Sequence, residues 1–202
     1  MAQLIPPRAP NLPLAPREYD SGYLEKLTNT LRLYFNQLDL ALQQVLTGFN
    51  NYGLFYSTVT QTNPVASAAN LLTYNTTAEA FGVSYDPANP SRVRVSVAGV
   101  YNFQFSAQLD HTGGGNVDFF FWFRLNGLDI PYSATKVVVA GPNDETVAAW
   151  NYLITVEAGA YFELVWSSPN TAARILAEPA AAPVPAIPSV IMTVTYVYPV
   201  NN

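Results

Sequence analysis

Hydrophobic and polar side chains alternate without a break from residue 101 to residue 109, in a strand expected over 100–109. Tyr101, Phe103, Phe105, Ala107 and Leu109 fall on one side, and Asn102, Gln104, Ser106 and Gln108 on the other. A period of two marks a strand with one dry face and one wet face. Residues 92–97 form a shorter strand before it, Gly99 marks a corner, and a glycine loop over 111–116 follows. The strand over 117–125 breaks the rule. Phe119, Phe121 and Phe123 point one way, Phe120 and Trp122 the other, so both faces are aromatic. A two-sheet sandwich buries one face of each strand, so the second aromatic face needs a further cover. Another subunit is the simplest cover.

The same patterning extends along the chain. Short candidate strands occupy 54–60, 70–74 and 81–85, with turns at Asp86-Pro87 and Asn89-Pro90. Asn126-Gly127 is a strong two-residue turn, followed by strands over 136–139 and 146–156. Gly159 opens a strand over 160–166. Residues 177–188 are too rich in proline for a helix and too apolar for a free linker, so they are expected to wrap a surface. A last alternating strand covers 189–198. Strands divided by turns, without β-α alternation, predict a mainly β domain over 50–202, a sandwich or a jelly roll. Gly99 and Gly159 are the positions where the chain turns between sheets.

Two different segments precede this domain. Residues 1–19 hold Pro6, Pro7, Pro10, Pro13 and Pro16 among Leu, Ile and Ala. Proline locks φ and removes donors, so an extended arm is expected, either solvated or docked through Leu4, Ile5, Leu12 and Leu14. Residues 20–49 predict a helix capped by Asp20 or Ser21 and stopped at Gly48. Leu24, Leu27, Leu31, Tyr34, Leu38, Ala41 and Val45 are spaced alternately by three and four, a heptad seam widened by Phe35, Leu42 and Phe49. That seam is expected to anchor the protein, either in a bundle with other copies or against the body of a subunit.

Composition narrows the function. Half of the 202 residues are hydrophobic and 11% are charged, well below the quarter that is usual. Scarce charge predicts surface hidden by association. A net charge of −5 and no basic stripe argue against nucleic acid. No cysteine is present, so disulfides and thiolate metal sites are excluded. Met1 to Pro16 lacks the pattern of a leader peptide, and no 18-residue apolar run spans a membrane.

Candidate chemistry is sparse. The lone histidine, His111, precedes a triple glycine and reads as a solvated loop residue. One histidine builds neither a His-rich metal site nor a triad on a rigid support. The triple glycine lacks the lysine of a phosphate loop. Asp110, Asp118, Asp129 and Asp144 lie near strand ends, but no pair has the spacing of a glycoside-cleaving site. Calcium on loop carboxylates is the one cofactor for which donors exist, without an EF-hand pattern. The chain is therefore expected not to be an enzyme and to need no cofactor.

The residues Ala98-Gly99-Val100-Tyr101-Asn102-Phe103-Gln104-Phe105-Ser106 resemble an "AGxYxFxxS" strand. Ala158-Gly159-Ala160-Tyr161-Phe162-Glu163-Leu164 and the terminal strand from Pro188 follow in matching order. This is the pattern of the trimeric jelly-roll superfamily of tumour necrosis factor and the complement globular head, and the resemblance covers about residues 81–198. The arm segment 10–19 and the helix segment 31–39 are similar to the N-terminal part of virion structural proteins of tailed phages. Together they imply a homotrimeric capsid decoration or cement protein, assembled in the host cytoplasm, with the major capsid protein as partner.

The alternative is a receptor-binding head of a tail fibre or head fibre, taking host surface glycans on tip residues Tyr132, Asn143, Asp144 and Trp150. Phe120, Trp122, Tyr196 and Tyr198 are the expected trimer contacts.

Overall fold

The computed structural model describes residues 9–14, 16–48, 51–141 and 144–200, with helix side chains described as far as Gln43. Helix α1 (Ser21–Gly48) begins where the Asp20 carboxylate accepts the Gly22 backbone N–H at 2.9 Å, which satisfies one of the orphan donors of the first turn. Among the described residues no strand packs along α1.

Fourteen strands follow. They are β1 (Tyr52–Ser57), β2 (Gln61–Thr62), β3 (Asn70–Leu71), β4 (Thr76–Phe81), β5 (Val83–Asp86), β6 (Asn89–Val95) and β7 (Gly99–His111). Then come β8 (Val117–Leu125), β9 (Leu128–Asp129), β10 (Thr135–Val139), β11 (Glu145–Val156), β12 (Tyr161–Ser167), β13 (Ala173–Ile175) and β14 (Val190–Tyr198). All strand pairs are antiparallel. The first sheet runs β4-β1-β14-β7-β11, with β13 and β2 extending it past the end of β14. The second runs β5-β6-β12-β8-β10, with β3 beside β12 and β9 beside β8.

Setting aside β4 at the edge and the short strands β2, β3, β5, β9 and β13, and numbering the other eight in chain order, one sheet holds the first, eighth, third and sixth, and the other the second, seventh, fourth and fifth. That is the strand order of a jelly roll. The chain passes between sheets just before Gly99 and again at Gly159, whose φ of +79° suits a residue without a Cβ. Asn126 (φ +51°) and Gly127 (φ +81°) form the expected two-residue turn.

The core lies between the sheets and is mainly aromatic. Phe103 of β7 stacks on Phe162 of β12 at 3.8 Å between ring centroids, and Phe119 stacks on Trp166 at 6.0 Å. Phe119, Phe121 and Phe123 are the inward face of β8, all fully buried. Burial drives the Tyr101 hydroxyl's pKa upward, above the usual phenol range, while its O–H donates to the Val97 carbonyl at 2.8 Å.

Three expectations change. His111 is not in a solvated loop, because alternation in β7 runs one step further than the hydrophobic letters and carries its imidazole into the core. Tyr196 is not a free contact residue. It faces inward from β14 and meets Tyr101 edge-on at 5.2 Å. Trp150 is not at a tip, since β11 turns it toward Phe105 at 4.4 Å, with Phe121 and Phe123 close by. A short strand, β13, also lies in a stretch where the sequence predicts none.

Candidate interaction faces

The two sheets present very different outer faces. On the first, β7 turns out Val100, Asn102, Gln104, Ser106 and Gln108, and β11 turns out Val147, Ala149, Asn151, Leu153 and Thr155. Beside them lie Ile191, Thr193, Thr195 and Val197 of β14 and Leu54 and Tyr56 of β1. None of these positions is Asp, Glu, Lys or Arg; charge on this sheet stands at the margins, at Glu79 of β4 opposite Leu54, at Glu145 where β11 begins, and in the Asp110–Arg174 pair. Asn151 donates to the Asn102 side-chain oxygen at 2.9 Å, tying the two wet faces together. Val147 and Leu153 remain 54% and 56% exposed on β11, an edge strand with β7 on one side.

The second sheet's outer face is charged. Lys136 pairs with Asp118 at 2.6 Å and lies 5.7 Å from the Phe120 ring. Trp122 donates its indole N–H to Asp129 at 2.6 Å, and Arg124 meets the same carboxylate. These two donors hold the Asp129 carboxyl below the usual carboxylate range, Arg124 contributing most. Arg92 and Arg94 stack over Tyr161, and the buried Glu163 accepts from Ser91 at 2.9 Å with Arg92 nearby. Phe120 is 37% exposed and Trp122 half-buried, so the second aromatic face of β8 is covered in part by its own ionic neighbours. Of the four expected trimer contacts, Phe120 and Trp122 lie on this face and Tyr196 is inside. Tyr198 is exposed at the end of β14 beyond a bulge.

On α1 the seam residues Leu27, Leu31, Tyr34 and Leu38 are half-buried, Leu24 is exposed, and the Val45 side chain and Phe49 lie outside the described residues. A second apolar stripe was not legible as a seam. Leu33 and Leu40, one heptad apart, are exposed, as are Phe35 and Leu42. Glu25, Asn29, Arg32, Asn36, Asp39 and Gln43 form a polar strip, and Lys26, Gln37 and Gln44 lie outside it. Exposed apolar side chains on two stripes leave more apolar surface than one seam covers.

The candidate chemistry does not converge. No group of three or more His, Asp or Glu side chains able to hold a metal exists among the described residues. Asp110 is buried and paired with Arg174, Asp118 and Asp129 belong to the ion pairs above, and Asp144 is exposed. Tyr132 is fully exposed at φ +61°, and Asn143 lies outside the described residues.

His111 is fully buried and neither ring nitrogen has a hydrogen-bond partner among the described residues. A buried polar group without a partner costs about 1–3 kcal/mol. His111→Leu is therefore expected to raise the unfolding free energy by about 1 kcal/mol, read by urea denaturation. A loss of similar size would show that the imidazole is hydrogen-bonded after all.

No family model matches the chain, and no curated protein matches it. Among solved structures it is similar to the crystal structure of murine APRIL at pH 5.0. The two share 9% identity over 73% of this chain and 98% of that one, with a TM-score of 0.43.

Proposed function

We propose that this chain is a non-enzymatic structural protein of a tailed-phage particle. It is a homotrimer that decorates or cements the capsid, and its arm and helix fasten it to the major capsid protein. The outer face of the first sheet, uncharged across β14, along β7 up to Gln108 and along β11 beyond Glu145, carries this reading. Interface cores are depleted of charge, whereas a solvated sheet face of this extent ordinarily carries it. Copies meet with the β11 edge of one, bearing Val147 and Leu153, against the sheet face of the next. Such a head-to-tail contact closes into a ring when each step rotates by about 120°. The contact is thus assigned to the side of the sandwich opposite Phe120 and Trp122.

The anchoring half is supported by α1, whose apolar stripes exceed what one seam uses. Its seam serves one contact and the Leu33–Leu40 stripe another. The phage setting is supported by the similarity of segments 10–19 and 31–39 to virion proteins, and by the plan of arm, rod and head.

Sedimentation of the intact protein at micromolar concentration is expected to give about 66 kDa, three times the chain mass of 22.1 kDa. The pair Val147→Asp and Leu153→Asp is expected to give monomers with an unchanged fold. Phe120→Asp is expected to leave the trimer intact; dissociation by that change would move the contact to the charged sheet. Retention on capsids is expected to be lost with Leu27→Asp plus Leu38→Asp. Retention that survives both would remove the helix from the anchor.

A further inference from the structure

The turn between β8 and β9 carries the one Asn-Gly pair in the chain, Asn126-Gly127, and both residues are exposed. Leu125 and Leu128 pair across its base, so the loop holds these two residues alone. Their φ values of +51° and +81° are what a two-residue hairpin loop of this hand requires. Glycine after asparagine also leaves the next backbone nitrogen open to the side-chain amide, because no Cβ obstructs the approach.

The structure holds that approach back. Asn126 is tied twice to β12: its backbone N–H donates to the Tyr161 carbonyl at 2.9 Å, and its Oδ1 accepts the Tyr161 N–H at 3.0 Å. The side chain therefore adds a rung to the ladder between β8 and β12, and its amide carbon stays with the neighbouring strand. Tyr161 also covers the glycine. A Cβ at Gly127 would lie 3.1 Å from the Tyr161 hydroxyl, and the Arg92 and Arg94 guanidinium carbons stand 4.5 and 5.1 Å from the centroid of that ring.

We propose that Asn126 is a site of spontaneous covalent modification, and that Tyr161 sets its rate by keeping the turn closed. When the turn opens, the Gly127 backbone nitrogen gives its proton to hydroxide and attacks Cγ of Asn126. The N–Cγ bond forms, the Cγ–Nδ2 bond breaks, and ammonia leaves with a proton from water, which restores the hydroxide. One water then opens the succinimide. Cleavage of the new bond gives aspartate in an unaltered backbone; cleavage between the Asn126 carbonyl carbon and the Gly127 nitrogen gives isoaspartate, with the chain running through Cγ.

The two products act differently on the charged face. The aspartate keeps an oxygen for the Tyr161 N–H, so the turn closes again with an added negative charge. The isoaspartate lengthens the loop by one backbone carbon, which a two-residue turn does not accommodate. β9 then leaves β8, and Asp129 leaves Trp122 and Arg124. Asn126 lies on the sheet away from the proposed trimer contact, so this chemistry depends neither on that contact nor on the phage setting.

The test keeps the full chain in mildly alkaline buffer, folded or unfolded in urea. Peptide mapping by mass spectrometry, with an isoaspartate-specific methyltransferase, follows residue 126. Conversion at Asn126 is expected in both states, in urea ahead of every other asparagine, and roughly tenfold or more slower in the folded protein because the turn must first open. Tyr161→Ala is expected to speed it several-fold in the folded protein and to leave the rate in urea unchanged. Arg92→Ala with Arg94→Ala frees the ring without altering it and is expected to act in the same direction. Thermal melting checks that both variants stay folded. Equal rates in the two states, no conversion of Asn126 in the folded protein, faster conversion of another asparagine in urea, or a folded-state rate indifferent to both variants would overturn the proposal.

Discussion

Phe103→Ala is expected to lower the unfolding free energy by about 3–5 kcal/mol, the largest effect of any single side chain in the sandwich. Phe103 is fully buried, stacks face to face on Phe162 across the two sheets, and lies beside Tyr101 on its own strand at 6.2 Å. Phe162 also meets Phe123 at 5.1 Å, so removing one ring leaves a gap that three strands border. The rings are held by antiparallel ladders on both sides, and the backbone has little freedom to collapse into the space. For a domain of this size the midpoint of thermal unfolding should fall by roughly 10 °C or more. A loss under about 1 kcal/mol would mean that the cavity refills, and the rigid aromatic core described above would be wrong.

Gly99→Ala is expected to destabilise by about 2–3 kcal/mol, against the ordinary trend. Within a strand, glycine to alanine normally helps by about 0.5–1 kcal/mol, because glycine loses more freedom on folding. Here an added Cβ would lie 2.3 Å from the Tyr196 ring and 3.0 Å from the Tyr198 carbonyl oxygen. Either the ring leaves its edge-on contact with Tyr101 or β14 separates from β7. The cause is testable by combination: with Tyr196→Leu already present, Gly99→Ala should cost much less, giving a coupling on the order of 1 kcal/mol or more in a double-mutant cycle. Strict additivity would place the strain elsewhere, at the Tyr198 carbonyl.

β7 was legible almost to the residue from its alternation, because a slip by one would expose every inward side chain, and β8 and β14 from the glycine loop, the Asn126-Gly127 turn and Pro188 that bound them. The helix was legible from the Asp20 cap to the Gly48 stop. Trp150 was misread as a tip residue although its own strand carried the signal. Trp150, Tyr152 and Ile154 alternate with Ala149, Asn151 and Thr155, a period that pointed the indole inward, blurred only by Val147 and Leu153. β13 left no such signal, since three residues hold too few periods to detect.

Local chemistry in the chain alone was enough to determine a jelly-roll head behind a helix, since alternation, caps and the Asn126-Gly127 turn act between near neighbours. Which aromatic face of β8 became core, where His111 went, and which sheet face kept an uncharged centre were decided only by the packing of the two sheets. Those outcomes depend on what stands opposite each side chain, and that is set by pairings between distant strands rather than by the residues themselves.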